Sequence, residues 1–160
     1  MTIKRIDTLS QQLSLRKKKY HSKCIFYDLH SFIGRDLEVD FDKNGDLVGS
    51  FFCHKRYQGY DGMVHGGILS ALLDAAMVQC LMGHGVVAYT ARMNIRYFNP
   101  VKLGQHVKIF SCIKQVHFNK LYKLYAKITQ ERKDFAVAHA SFYKINNKKG
   151  VEGSGIQGIE

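Results

Sequence analysis

The stretch GMVHGGILSALLDAAMVQCLM, residues 62–82, decides the fold of this protein. From Ile68 to Met82 only three side chains are polar: Ser70, Asp74 and Gln79. The apolar residues surround a helix instead of forming one stripe, which is typical of a wholly buried helix. The run is rich in Ala, Leu and Met, and it ends at Gly83-His84-Gly85, which favours a left-handed stop. Because it is shorter than the roughly 20 residues that span a bilayer, we predict a core helix.

Asp74 is the one acid in this run. A carboxylate inside a buried helix costs several kcal/mol unless it is paired, hydrogen-bonded or protonated. One interpretation is an Asp that faces a crevice and is capped by a neighbouring chain. The other is a catalytic carboxylate. The residues alone leave both interpretations open.

The helix is preceded by His65-Gly66-Gly67, which places two residues without side chains where backbone N–H groups lack intrahelical partners. An anionic oxygen can approach such groups closely, which is what an oxyanion site requires. Tight packing is the alternative reason for a glycine pair. Gly66 and Asp74 are roughly 12 Å apart along a helix that rises about 1.5 Å per residue, so one carbonyl cannot touch both within one chain. If they act together, the site lies between two subunits with antiparallel helices.

Composition favours one globular domain with an anionic partner. The chain has 160 residues, 46% of them hydrophobic and 23% charged, which is ordinary for a folded protein. Its 24 basic and 13 acidic residues give a formal charge of +11. Such a charge favours nucleic acid, a membrane surface or a phosphorylated ligand. The basic runs near the ends, Arg16 to Lys19 and Lys148-Lys149, are interpreted as solvated and carry little weight.

Four cysteines are widely separated and form no C-x-x-C pair: Cys24, Cys53, Cys80 and Cys112. This spacing argues against a zinc knuckle and a redox motif, and we expect no metal and no cofactor. Reduced thiols fit a cytoplasmic protein. Residues 1–27 lack the apolar h-region of a secretory signal, whereas their single acid and several basic residues keep a mitochondrial presequence as the alternative.

The two ends of the chain and the segment before the central helix differ in sequence pattern. Residues 1–27 are predicted to be a basic arm with one short helix, and residues 148–160 a flexible C-terminal tail. Strict alternation over residues 35–42 predicts a half-buried strand. The Asn44-Gly45 pair predicts a tight hairpin, from which residues 47–57 return as the second strand.

Three or four long strands are predicted after the helix, within residues 86–98, 105–118, 121–132 and 135–145. In the first, alternate residues from Val87 to Tyr97 are expected on one buried face, with Thr90 and Arg96 on the other. Short connections predict antiparallel hairpins between neighbours. The predicted class is therefore α+β, with an antiparallel sheet of five or six strands wrapped around one long central helix.

This order of elements resembles the hot-dog-fold acyl-CoA thioesterases of the PaaI-like group. The resemblance covers about residues 28–147, which we interpret as a hot-dog thioesterase domain. Its most specific part is Gly62, then His65-Gly66-Gly67, then Asp74. The stretch TARMNIRYFNPVKLG, residues 90–104, follows in the expected place. The resemblance implies hydrolysis of an acyl-CoA thioester to free acid and CoA. We expect a homodimer or homotetramer, because the apolar central helix needs cover and the shared site needs two chains.

The resemblance also implies roles for particular residues. In such enzymes a backbone N–H just after the motif His polarises the thioester carbonyl, which carries over to Gly66. The acid on the central helix of the neighbouring subunit, matching Asp74, acts as nucleophile or as general base for water. A Ser or Thr on the strand after the helix sometimes assists, and Thr90 matches it.

One position departs from the pattern. Several relatives have an Asn six residues before the motif His, and here that position is Gly59. Whether Gln58, His65 or a water positions the nucleophile is therefore left open, and His65 is expected either to brace the loop or to touch substrate. Substrate contacts, including those to the CoA phosphates, are expected at five residues: Gly59, Gly67, Ser70, Arg96 and Lys102.

Other functions are weighed against hydrolysis. A hot-dog module that binds an acyl thioester without hydrolysing it would need the pocket but not Asp74, and it is the alternative function. A dehydratase is not favoured because its His and Glu pattern is missing. Tyr57, Tyr60 and Tyr97 could stack bases, but aromatic residues at strand spacing are more typical of a core. We expect no nucleic-acid partner and no membrane partner.

Overall fold

The computed structural model describes residues 2–28 and 31–145, without the side chains of residues 2–7 and 32. Its helices are α1 (Thr2–Tyr20), α2 (Phe32–Asp36) and α3 (Gly66–Gly83), with a 3-10 turn at Lys55–Tyr57. Its strands are β1 (Leu37–Phe41), β2 (Leu47–Phe52), β3 (Ala88–Tyr97), β4 (His106–His117), β5 (Leu121–Gln130) and β6 (Lys133–Lys144). The predicted tail, residues 148–160, lies outside the described residues.

The six strands form one antiparallel sheet in the order β1-β2-β4-β5-β6-β3. The predicted α+β class is confirmed, because this sheet packs around α3. The prediction that β3 and β4 pair as neighbours is wrong: β3 pairs with β6 at one edge, and β4 pairs with β2. The connection between them does not turn back, since its backbone bonds go to the loop before α3. Val64 N–H donates to Val101 O at 2.8 Å, and Leu103 N–H donates to Gly62 O at 3.0 Å.

The hairpin between β1 and β2 confirms the prediction from Asn44-Gly45. Gly45 has φ +82°, a backbone conformation that glycine adopts without a steric cost. The Asp42 carboxylate accepts the N–H groups of Asn44 and Asp46 at 2.9 and 3.0 Å, which closes the turn. β2 ends at Phe52, earlier than predicted, because the following residues form the 3-10 turn.

Helix α3 is the core helix that the sequence predicts. It has 18 residues with a mean hydropathy of 1.5, long and apolar enough to cross a membrane by composition, yet 67% of it is buried. It stops as expected, with Gly85 at φ +83°. The sheet covers one side of α3, and α1 covers another through Leu9 and Leu13. Helix α1 has 19 residues and contributes to the core. The prediction that this segment is an arm with a short helix is therefore wrong.

Gln79 of α3 is fully buried, and neither its Oε1 nor its Nε2 has a hydrogen-bond partner among the described residues. A buried amide in that state costs about 1–3 kcal/mol. Methionine has a similar volume and no such cost. We therefore expect Gln79→Met to raise the free energy of unfolding by about 1–3 kcal/mol in urea denaturation. The control Gln11→Met, at an exposed position of α1, should change it by no more than about 0.5 kcal/mol. A destabilised Gln79 variant would contradict this account.

Candidate active site

Helix α3 begins at the glycine pair, and His65 caps it. The backbone of His65 is extended, with φ −62° and ψ 132°, and Gly67 N–H donates to its Nδ1 at 2.9 Å. A Cβ on Gly67 would lie 2.9 Å from that nitrogen, so the cap requires glycine. The imidazole therefore satisfies one of the helix's free N–H groups and braces the loop. Contact of His65 with substrate stays a prediction.

Gly66 presents a free backbone N–H at the positive end of α3. No acceptor for it lies within the part of the chain that the structure describes. A Cβ at this position would meet nothing within 4 Å, so the space beside Gly66 is open. A fixed N–H donor at a helix N-terminus, next to open space, is suited to stabilise a developing oxyanion.

The Gly66 carbonyl, by contrast, is held from two sides. Ser70 Oγ donates to it at 3.0 Å and Tyr97 Oη at 3.2 Å. The two hydroxyls also contact each other. These bonds tie the first turn of α3 to the end of β3, so they hold the position of the free N–H. The alternation of β3 predicts that Tyr97 lies on a core face, and it carries no signal of this polar contact.

Asp74 is half-buried in the single subunit, whereas a fully buried helix was predicted around it. It lies on the side of α3 next to β3, which is the last strand of the sheet, so no further strand of the described residues lies beyond the carboxylate. Thr90 Oγ1 donates to Asp74 Oδ1 at 2.6 Å. Oδ2 has no donor among the described residues. One oxygen is therefore oriented and the other is available for chemistry.

A β-bulge brings Thr90 to Asp74. The register of β3 against β6 shifts between Thr90 and Arg92. Thr90 pairs with Phe142 on the α3 side of the sheet, and after the bulge Met93 pairs with Ala140 on that same side. The prediction that Thr90 lies opposite to Met93 is therefore wrong, because the extra residue reverses the alternation.

Tyr27 packs beside this carboxylate, although it lies in the segment expected to be an arm. Its hydroxyl donates to Ala75 O at 3.5 Å. Burial raises the pKa of Tyr27 well above its usual value, and the nearby Cys24 and Asp74 add to the effect. The phenol therefore stays protonated and acts as a donor beside α3. No motif pointed to it, because the contact depends on how residues 21–28 fold back.

The loop before His65 holds Gln58 and Gly59 away from Asp74. Gln58 Oε1 accepts Gly62 N–H at 3.2 Å within the same loop. A Cβ on Gly59 would lie 2.9 Å from His65 Cα, so the loop has no room for the Asn expected from the resemblance. Within one subunit neither residue is brought to the carboxylate, and their predicted catalytic and substrate roles stay predictions.

The two basic residues expected to contact phosphates lie in different places. Lys102 pairs with Met63, beside the loop that leads into α3. Arg96 pairs with Val137 on the side of the sheet that faces away from α3, and its guanidinium lies 5.0 Å from the Phe98 ring centre. The structure therefore places Lys102 beside the loop that leads into α3, and Arg96 on the face of the sheet that points away from α3.

Three of the four cysteines are poor candidates for a nucleophile, because burial raises their pKa values. Burial raises the pKa of Cys53 to about 11 and that of Cys80 to about 12. Burial also raises the pKa of Cys112. These thiols stay protonated at neutral pH, and a protonated thiol is a poor nucleophile. Asp74 with Thr90 is the better candidate for the chemistry.

Comparisons with known proteins find thioesterases among the matches. Residues 61–116 match the Thioesterase superfamily model. The chain is 31% identical over 151 residues to mouse acyl-coenzyme A thioesterase THEM4. The aligned region covers 92% of this chain, and the chain spans only 65% of that relative's length. The resemblance to hot-dog-fold thioesterases is confirmed.

Solved structures show the same fold. The E. coli PaaI protein from the phenylacetic acid degradation operon has a TM-score of 0.70 at 15% identity, covering 86% of this chain and 96% of PaaI. A Streptococcus mutans protein bound to acetyl CoA has a TM-score of 0.64 at 21% identity, covering 71% of this chain and 91% of that protein. At these identities the likeness establishes the hot-dog fold of the chain and leaves its chemistry to the site residues.

Proposed function

We propose that this chain, a hot-dog-fold protein matching the Thioesterase superfamily, hydrolyses an acyl-CoA thioester to free acid and CoA. The observation that carries the proposal is that one helix bears both a free N–H at Gly66 and a carboxylate at Asp74 that Thr90 orients. An oxyanion donor and a nucleophile or base are the two groups that acyl transfer needs. The thioesterase relative and the acetyl CoA in a structure of the same fold support the substrate class.

The proposed site is shared between two subunits. Gly66 and Asp74 are roughly 12 Å apart on α3, too far to meet one carbonyl within a subunit. The exposed edge of β3 offers the contact: it pairs with β6 on one side only, and most of its ten residues are exposed. A two-fold copy pairing its own β3 there would cover this edge and place the two α3 helices antiparallel. The expected reason for dimerisation, a bare central helix, is wrong because α1 and the sheet cover α3.

The reaction follows from these groups. Asp74 either removes a proton from the attacking water or attacks the thioester carbonyl itself. In both routes negative charge builds on the carbonyl oxygen in the transition state. The partner's Gly66 N–H stabilises this charged oxygen more strongly than it stabilises the uncharged carbonyl of the bound substrate. Breaking of the C–S bond then releases the CoA thiolate, which takes a proton from protonated Asp74 in the first route and from water in the second. In the second route a water molecule then hydrolyses the acyl–Asp74 anhydride, which releases the free acid and restores the carboxylate. Thr90 keeps one carboxylate oxygen in place throughout.

Further parts of the proposal rest on sequence reasoning. Lys102 and Arg96 are proposed contacts for CoA phosphates, and the position of Lys102 beside the loop that leads into α3 favours it. We also propose that dimers associate further into a homotetramer and that the protein is cytoplasmic. The domain limits at residues 28 and 147 stay predictions.

The oxyanion role of Gly66 can be tested by removing one N–H. Proline is favoured at the first helical position and fits the extended backbone of His65, so Gly66→Pro deletes the donor without breaking α3. We expect its kcat to fall about 10²–10³-fold. The matched control Gly66→Ala keeps the N–H and meets no atom of the subunit within 4 Å, so its kcat should stay well above that of the proline variant.

The assay is thiol release from a panel of short, long and aryl acyl-CoA thioesters. Equal turnover by the proline and alanine variants would exclude Gly66 N–H from the chemistry. No hydrolysis of any panel member by the wild-type protein would favour the acyl thioester binding module instead.

A further inference from the structure

The outer face of the sheet, which points away from α3, carries a basic groove of about 440 Å³. Six of the residues that line it are polar or basic and largely exposed: Arg92, Asn94, Lys114, Gln115, Lys123 and His139. None of the lining residues is acidic. The groove lies on the opposite side of the sheet from Asp74 and Thr90.

Strand register explains why the cations converge. Gln115, Lys123, Ser141 and Arg92 form one row that crosses β4, β5, β6 and β3. Strands are about 4.8 Å apart, so the backbones of Lys123 and Arg92 are roughly 10 Å apart. Ser141 lies between them, and its small side chain leaves space for a ligand above the sheet. Long basic side chains on either side can therefore reach one anion between them.

Two β-bulges place these side chains on the outer face. The register of β4 shifts between Ile113 and Gln115, and that of β3 shifts between Thr90 and Arg92. Without these extra residues, Gln115 and Arg92 would point towards α3. Bulges re-aim side chains and are enriched next to binding sites. Here β3 and β4, on either side of the groove, each carry a bulge next to the same row of residues across the sheet.

Among the described residues the cations of the groove form no ion pair, although the Asp46 carboxylate interacts with Lys114 over a longer distance. Within the described ranges 2–28 and 31–145, no acidic oxygen lies within 4.0 Å of Arg92, Lys114 or Lys123. Lys127, on the same face but outside the groove, pairs with Asp134 at 3.9 Å. Like charges gathered in a concave site raise the local positive potential and attract anions.

We infer that the basic groove binds the phosphate groups of a nucleotide-type ligand. Arginine suits a phosphate through paired N–H donors, lysine acts as a point charge, and the amides and Ser141 add neutral donors. The volume lies in the range of small-molecule sites. The exposed His139 ring, 5.1 Å from the Tyr125 ring, offers a flat surface for a heterocyclic base. The phosphates can come from CoA or from a free nucleotide, and the inference does not rest on hydrolysis.

The test is calorimetric titration of the full chain with pyrophosphate and with adenosine 3′,5′-bisphosphate. The double variant Arg92→Gln/Lys123→Gln should raise both Kd values at least about tenfold, because each lost contact is charge-assisted. The matched control Lys108→Gln/Lys127→Gln removes the same charge from the same face outside the groove. Its Kd values should stay within about twofold of wild type.

Steady-state kinetics then distinguishes the two sources. If the groove holds the phosphates of CoA, the groove variant raises KM for acyl-CoA but not for the matching acyl-pantetheine thioester, which has no phosphate. If it holds a free nucleotide, KM is unchanged for both while pyrophosphate affinity is lost. Either result supports the groove as a phosphate site.

Three outcomes would overturn the inference. Pyrophosphate could fail to bind the wild-type protein, or it could bind both double variants equally. In the third outcome, the groove variant keeps its affinity for pyrophosphate but changes the sedimentation coefficient. The groove would then be an interface between subunits. Asp74→Asn should bind pyrophosphate as wild type does. Failure of the groove and failure of hydrolysis are therefore separate results.

Discussion

Asp74→Asn is expected to lower kcat for acyl-CoA hydrolysis by roughly 10²–10⁴-fold and to leave the subunit folded. The amide has nearly the volume of the carboxylate, and its oxygen can still accept the Thr90 hydroxyl that lies 2.6 Å from Oδ1. A carboxamide, however, is neither an effective base nor a nucleophile. Because Asp74 is half-buried beside the sheet edge, the substitution leaves the packed residues of α3 in place.

Thiol release and melting temperature should be measured on the same preparation. A loss confined to kcat, with KM retained, assigns Asp74 to the chemical step. Asp134→Asn, an exposed acid on β6, is the control and should keep wild-type turnover. Wild-type turnover in the Asp74 variant with a shifted melting temperature would instead identify a structural acid and defeat the mechanism.

Mixing two inactive variants is expected to restore activity. A subunit with Asp74→Ala keeps its Gly66 N–H, and a subunit with Gly66→Pro keeps its Asp74. In a heterodimer one of the two shared sites therefore combines both intact groups. Random pairing of equal amounts makes half of the dimers mixed, so about a quarter of wild-type activity should return. A site within one subunit predicts no recovery.

The experiment needs proof of exchange. The two variants should be co-refolded or co-expressed with different tags, and the tandem-purified heterodimer assayed against each homodimer. Sedimentation at micromolar concentration should give a dimer or tetramer in every sample. A folded monomer, or an inactive heterodimer of proven composition, would count against the shared site.

Local patterns in the chain predicted much of the candidate site. The glycine pair before an apolar run identified the N-terminus of α3, which begins at Gly66. Asn44-Gly45 identified the hairpin, since a tight turn is a property of two neighbouring residues. The distance between Gly66 and Asp74 followed from helix geometry alone, because both lie on one regular element.

Other features could not be read from the chain. The cap formed by His65 Nδ1 and the contact of Tyr97 with the Gly66 carbonyl depend on side-chain directions. Tyr27 reaches α3 only because residues 21–28 fold back on it. The close approach of Gly59 to His65 explains its lack of a side chain, yet the sequence shows only a glycine.

The sequence by itself determined the central helix, the strands and their order along the chain, because periodicity and turn chemistry act within a few neighbouring residues. Only the tertiary structure decided that β3 lies at the sheet edge, paired with β6 and not β4. It alone placed the bulge that turns Thr90 towards Asp74 and Arg92 towards the basic groove. The physical reason is that strand pairing and register are set by packing between distant segments, and one extra residue reverses every side chain after it.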